Sequence, residues 1–181
     1  MSTGSPSVVC IIGRKNSGKT ELTVALGAEL NRRGYRVMTA KHGHGFQVDQ
    51  PGRDSWRHRH EGAAVRTVLA GPAEFAVIGR WPREEMPLAE LVDRFLWDAD
   101  IVLAEGFNAA PGPKVEVFRD LLGSEPFLDS EGESASGTIA FVTDRSDLRL
   151  GIPVFDLNNE GFVARLADFL EHRFLEGGER S

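Results

Sequence analysis

Apolar positions along this chain fall into two kinds of block. Some runs have little or no polar interruption: Val8-Val9-Cys10-Ile11-Ile12, Val37-Met38-Thr39-Ala40, Ile101-Val102-Leu103-Ala104 and the stretch 138–143. Their length and β-branched content are those of strands buried on both faces. Pro153-Val154-Phe155 adds a short last strand, and residues 114–119 alternate with period two, predicting a half-exposed one. Elsewhere the spacing is helical. Leu22, Leu26 and Leu30 recur at i, i+4, i+8 and are closed by Gly34; Leu88, Leu91, Val92 and Phe95 form a second set. A terminal helix starting at Asn159 carries Phe162, Val163, Leu166, Phe169 and Leu170 on one side. Residues 65–70 and 75–78, separated by Gly71-Pro72, read as a hairpin.

Strands alternating with helices predict a three-layer α/β/α fold with a mostly parallel sheet. A polar leader, 1–7, precedes a single domain over 8–181, without internal repeats. Two segments resist regular structure. Residues 41–55 are rich in glycine and proline and leave the C-terminal end of the second strand, the edge where ligands of open sheets bind. Ser55 is expected to cap a short helix to about residue 62, with Trp56 packing beneath it. Within 120–137, the acidic patch 129–137 reads as a flexible surface loop.

The connection between the first strand and first helix carries the chemistry. Gly13-Arg14-Lys15-Asn16-Ser17-Gly18-Lys19-Thr20 matches G-x-x-x-x-G-K-S/T in full, in the strand–helix setting that a P-loop needs. Successive backbone N–H groups and the helix N-terminus present positive charge to phosphate oxygens. Lys19 reaches the β- and γ-phosphates, and the Thr20 hydroxyl holds Mg²⁺. A metal needs acids at the same edge of the sheet. Glu105 ends a buried strand and precedes a glycine; Asp49 lies in the loop after the second strand. Asp100 precedes its strand and so lies at the wrong end. Asp144, after a late strand, is placed either to accept from the N1–H and 2-amino edge of guanine or to cap a turn. His42 and His44, like His58 and His60, are two apart, a spacing that on a strand points both rings one way. A metal site and an anionic pocket bordered by Lys41, His42 and His44 are both open readings. Arg53, Arg57, Arg59 and Arg66 make 53–66 locally basic, either as solvated arginines or as a docking face for an anion.

Composition narrows the partners. The chain has 181 residues and a net charge of −6, against the basic footprint of a general nucleic-acid or membrane-surface binder. The single Cys10 falls inside the first strand, where a buried inert thiol is expected. The leader lacks a basic region and a long apolar run, so neither a signal peptide nor a span is expected and the location predicted is cytoplasmic.

Beyond the P-loop, the blocks Lys41-His42-x-His44, Asp49-x-Pro51-Gly52-x-Asp54-Ser55, Glu61-Gly62-Ala63 and Glu105-Gly106-Phe107 resemble those of the molybdopterin-guanine dinucleotide biosynthesis adaptor protein B (MobB) family. The resemblance covers about residues 8–120 by motif and extends loosely to the end through Phe141-Val142-Thr143-Asp144 and the terminal helix. It implies a GTP-binding protein with weak GTPase activity. It also implies a homodimer working beside the guanylyltransferase MobA, which attaches GMP to molybdopterin. On this likeness Gly13, Gly18, Lys19 and Thr20 bind phosphates and Mg²⁺, while Asp49 and Glu105 are the metal-side acids. Three positions depart from the family's usual residues: Glu21 for threonine, Gly45 for histidine and Asn108 for lysine. With lysine missing at 108, Lys114 and Arg119 remain as cations for an anion at that loop.

The expected nucleotide-binding set is therefore Gly13, Asn16, Ser17, Gly18, Lys19, Thr20, Glu21, Lys41, His42 and Asp144, with Lys19, Asp49 and Glu105 catalytic and Thr20, Asp49 and Glu105 on the metal. Two other classes share these features. A dethiobiotin-synthetase-like ATP-dependent kinase or ligase has the same sheet and strand-ending Glu-Gly. A nickel-type metallochaperone GTPase would use the paired histidines.

Overall fold

The computed structural model describes residues 5–43, 45, 47–81, 83–120, 125–127, 137–145, 148 and 150–176. The acidic patch at 129–136, His44 and the first four residues lie outside them. The chain divides into two units, 1–42 with 87–181, and 43–86.

The larger unit is built on β1 (Ser7–Ile12), so the strand takes in the last residue of the expected leader. With β2 (Val37–Lys41), β5 (Ile101–Glu105), β6 (Lys114–Phe118), β7 (Thr138–Thr143) and β8 (Val154–Asp156) it forms one sheet ordered β2-β5-β1-β6-β7-β8, every neighbouring pair parallel. The β1–helix–β2 crossover does not place its two strands side by side, because β5 is inserted between them. All six strands end at one edge, so the segments that follow them share that edge.

Three helices complete the layers. In α1 (Lys19–Arg32), Leu22, Leu26 and Leu30 are buried, and the helix stops as Gly34 takes the left-handed φ of 92° that a C-terminal cap favours. In α4 (Phe162–Phe174), Leu166, Ala167 and Leu170 are buried; the helix begins three residues later than expected, behind Gly161 rather than at Asn159. Both pack on the face formed by Val9, Ile11, Ile101, Leu103, Val115 and Val117. The opposite face, Cys10, Ile12, Val102 and Ala104, is covered by Leu88 and Val92 of α3 (Leu88–Phe95). Successive residues of β1 thus serve opposite layers, as strand alternation requires. Burial raises the Cys10 thiol above its ordinary pKa, keeping it neutral.

Strand β6 corrects the half-exposed expectation. It lies between β1 and β7, and all five residues are buried, Lys114 and Glu116 included. Period two reports polar alternation, but here the polar face is turned inward. Glu116 Oε1 accepts the Phe127 N–H at 2.6 Å. On the helical side, Arg33 of the α1 cap donates to Glu29, Asp168 and Glu171 at 2.9, 2.6 and 2.7 Å, tying α1 to α4.

The smaller unit carries α2 (Asp54–His60) and an antiparallel hairpin of β3 (Arg66–Ala70) and β4 (Phe75–Gly79). Ser55 is not the helix cap. Arg53 holds that position, and Ser55 Oγ instead donates to Asp49 Oδ1 at 3.0 Å. Trp56 stacks on His60 with ring centroids 4.2 Å apart. Because 58 and 60 lie on a helix, roughly 200° apart around its axis, the two rings do not share a face. The hairpin leaves Val68, Phe75 and Val77 exposed at 63%, 78% and 42%.

Candidate functional site: a phosphate loop with a cation position

The loop after β1 has a backbone that only small residues accept at two points. Gly13 has φ +145°, and a Cβ there would lie 2.3 Å from the Val117 carbonyl oxygen of β6. Gly18 caps α1 with φ +97°, and Asn16 is also left-handed at φ 64°. The loop and the first turn of α1 border a cavity of about 360 Å³. Lys15, Asn16, Gly18, Lys19, Thr20, Glu21 and Glu105 line it.

Lys19 bends back and donates to the Gly13 and Arg14 carbonyls at 3.0 and 2.7 Å. Desolvation lowers its pKa, partly offset by Glu105 and reinforced by Lys41. Glu105 arrives because β5 lies beside β1 in parallel register, Ile11 against Glu105. Gly106 then turns with φ +82°, where a Cβ would sit 2.9 Å from the His42 carbonyl oxygen. The Glu105 side chain is 10% exposed. Its Oε1 accepts from Thr20 Oγ1 at 2.8 Å and from Lys41 Nζ at 2.9 Å, and Nζ is 3.2 Å from Thr20 Oγ1.

Two observations test whether a nucleotide and its metal fit. Ser17 is 1% exposed, and its Oγ has no hydrogen-bond partner among the described residues, so the loop holds a buried donor unspent. The Lys41 ammonium bridges a hydroxyl and a carboxylate oxygen, the all-oxygen setting that a hard divalent cation prefers. The residues fit the group. Thr20 and Glu105 would hold the metal, which would supply positive charge against the phosphates.

The other candidates divide. His42 follows Lys41, its N–H donating to the Glu105 carbonyl at 2.9 Å and its ring tilted against Phe107 at 5.3 Å. Asp49 belongs to the smaller unit. Its carboxylate accepts from Ser55 at 3.0 Å and Arg59 at 2.9 Å, and Arg59 above all holds its pKa below the usual carboxylate range. Asp144 follows β7 at the P-loop edge of the sheet, and its Oδ1 accepts the Asp120 N–H at 3.0 Å. Of the basic stretch, Arg59 and Arg57 are ion-paired to Asp49 and Glu61. Among the described residues no three His, Cys, Asp or Glu side chains are grouped to hold a metal, and no helix is long and apolar enough to cross a membrane.

Two arginines take places that motif spacing does not reveal. Arg14 Nε donates to the Glu125 carbonyl at 3.2 Å, and its guanidinium lies 4.3 Å from the Phe127 ring centroid. Arg119 Nε donates to the Ser17 carbonyl at 3.1 Å. The signal for Arg119 was a cation just beyond the strand beside β1. Lys114, its companion in the sequence reading, is buried at the other end of β6 and does not reach this edge.

The family model described as molybdopterin guanine dinucleotide synthesis protein B matches residues 8–144. A molybdopterin-guanine dinucleotide biosynthesis adapter protein of Haemophilus influenzae is 32% identical over 166 residues, spanning 90% of this chain and 86% of the relative. The Escherichia coli adapter protein is 35% identical over 157 residues, 85% of each chain. A crystal structure of molybdopterin-guanine biosynthesis protein B superposes with a TM-score of 0.68 at 26% identity, covering 92% of this chain and 99% of that one. The family model spans residues 8–144 and both adapter-protein relatives cover most of the chain at more than 30% identity, so the chain belongs to the MobB family.

Proposed function

We propose that the protein is a GTP-binding adaptor in molybdenum-cofactor maturation, with slow Mg²⁺-dependent hydrolysis, assisting a guanylyltransferase of the MobA type that builds molybdopterin-guanine dinucleotide. The observation that carries this reading is the cation position between Thr20 Oγ1 and Glu105 Oε1 at the mouth of the phosphate loop. In it, Gly13, Asn16, Ser17 and Gly18 cradle phosphate through backbone N–H groups. Lys19 would turn from its own loop carbonyls to the β- and γ-phosphates, and Thr20 and Glu105 would hold Mg²⁺, whose charge would offset that of the phosphates. Glu21 and His42 border the site, and Asp144 reads the guanine edge. The family resemblance also implies Asp49 as a second acid; within the smaller unit its carboxylate is held by Ser55 and Arg59.

Support for a homodimer comes from the hairpin, whose two strands expose Val68, Phe75 and Val77. An isolated two-stranded sheet with apolar side chains in water is marginal, and a second copy would cover it. Competition binding tests the whole reading: GTP should displace a labelled nucleotide at micromolar concentration and ATP much less well, with and without molybdopterin. Equal displacement by ATP would overturn the guanine assignment.

One observation favours the kinase or ligase alternative. A second cavity of about 570 Å³ lies between α1 and β2, shares Thr20 and Glu105 with the loop cavity and is also lined by Lys41. Rapid ADP formation dependent on a small acceptor would support that class.

A further inference from the structure

Positive features converge at the start of α1 without a carboxylate to balance all of them. The helix N-terminus opens at Gly18, Lys19 follows, and the half-buried Arg119 guanidinium lies across it, Nε and Nη2 each 3.4 Å from where a Gly18 side chain would begin. A cation beside the positive end of a helix is unfavourable. Arg33, Arg36, Arg57 and Arg59 each have a carboxylate partner, and the Arg14 guanidinium lies over the Phe127 ring. Among the described residues Arg119 has the Ser17 carbonyl alone, and no acid lies within ion-pair distance of it. In the same loop Ser17 Oγ is buried and unpartnered. A cation held against a cationic helix end, next to an unspent buried hydroxyl, is an arrangement completed by an anion.

The geometry points to Arg119 as a phosphate-contacting residue that this chain supplies to its own loop. With nucleotide bound, the guanidinium exchanges the Ser17 carbonyl for the diphosphate oxygens, on the helix side of the loop opposite the Thr20–Glu105 cation position. This deepens the nucleotide-binding reading and rests on it. Because the contact is to the diphosphate, it serves GDP and GTP alike and GMP little. A guanidinium–phosphate pair is charge-assisted and often bidentate, which Lys reproduces in charge but not in fork geometry.

The test compares Arg119→Gln, Arg119→Lys and the unaltered protein in titrations with GMP, GDP and GTP, alongside thermal melts with and without nucleotide. Arg119→Gln should weaken GDP and GTP by about 10- to 100-fold, with GMP changed less than about threefold, and Arg119→Lys should recover part of the loss. Without nucleotide the Gln variant should melt no lower than the unaltered protein, since a misplaced cation has been removed. Gln keeps an N–H donor for the Ser17 carbonyl. Full affinity in Arg119→Gln, or a drop in its nucleotide-free melting temperature with equal losses for all three nucleotides, would make Arg119 a loop clamp and overturn the proposal. If the unaltered protein binds none of the three, the nucleotide reading itself fails; if it binds them and Arg119→Gln does too, only this inference does.

Discussion

At the scale of single residues, the site turns on which carboxylate meets which partner. Glu105 already shares its Oε1 with Thr20 and Lys41, so its loss should be felt as loss of metal rather than of phosphate. Glu105→Gln should remove the Mg²⁺-dependence of nucleotide affinity, measured as the ratio of Kd with and without Mg²⁺, while leaving metal-free binding within a few-fold. Asp49→Asn tests the second acid: a smaller Mg²⁺ ratio together with slower hydrolysis is expected, and an unchanged ratio and rate would confine Asp49 to fastening α2 through Ser55 and Arg59. Asp144 has two roles to separate, because one oxygen caps Asp120. If the other reads guanine, Asp144→Asn should weaken GTP by at least about tenfold and improve XTP, whose C2 oxygen accepts from an amide; parallel losses for both would leave only the turn cap. The sequence pointed to Lys19, Thr20 and Glu105 because a motif and a strand end fix where such residues lie. Arg119 was named as a cation but not placed, since its position over Gly18 depends on β6 lying next to β1, a pairing across about a hundred residues.

At the scale of elements, legibility followed the type of pattern. The leucines of α1 and the apolar runs of β1 and β5 gave their elements plainly, because one residue type serves one buried face. Strand β6 did not, because Lys114 and Glu116 are polar and buried together, which no local pattern distinguishes from an exposed face. The short α2 was misread at its start for a different reason: Ser55, a good capping residue, is used by Asp49 instead. The α1–α4 junction also carries a pH signature. Hydrogen bonds from Arg32 and then Arg33 depress Glu29 from 4.5 to about 2. A depressed carboxylate contributes stability that is fully present above its unfolded pKa and is lost as pH falls through the folded one. Urea midpoints should therefore fall between about pH 4.5 and 2 more steeply in the unaltered protein than in Glu29→Gln. Parallel curves would show that the junction does not depend on this carboxylate.

At the scale of the whole molecule, the sheet gathers the P-loop, Glu105, Arg119 and Asp144 at one edge because all its strands run the same way. The smaller unit presents its apolar hairpin instead, and replacing exposed Phe75 by Asp should turn a dimer into a monomer in sedimentation without lowering the melting temperature of the larger unit. A persistent dimer would assign the self-association to another surface. The most direct measurement is calorimetric titration of Mg-GTP into the unaltered protein and into Lys19→Ala. Micromolar binding by the first and none by the second is the expected result; binding of similar strength by both would contradict a phosphate site built on this loop.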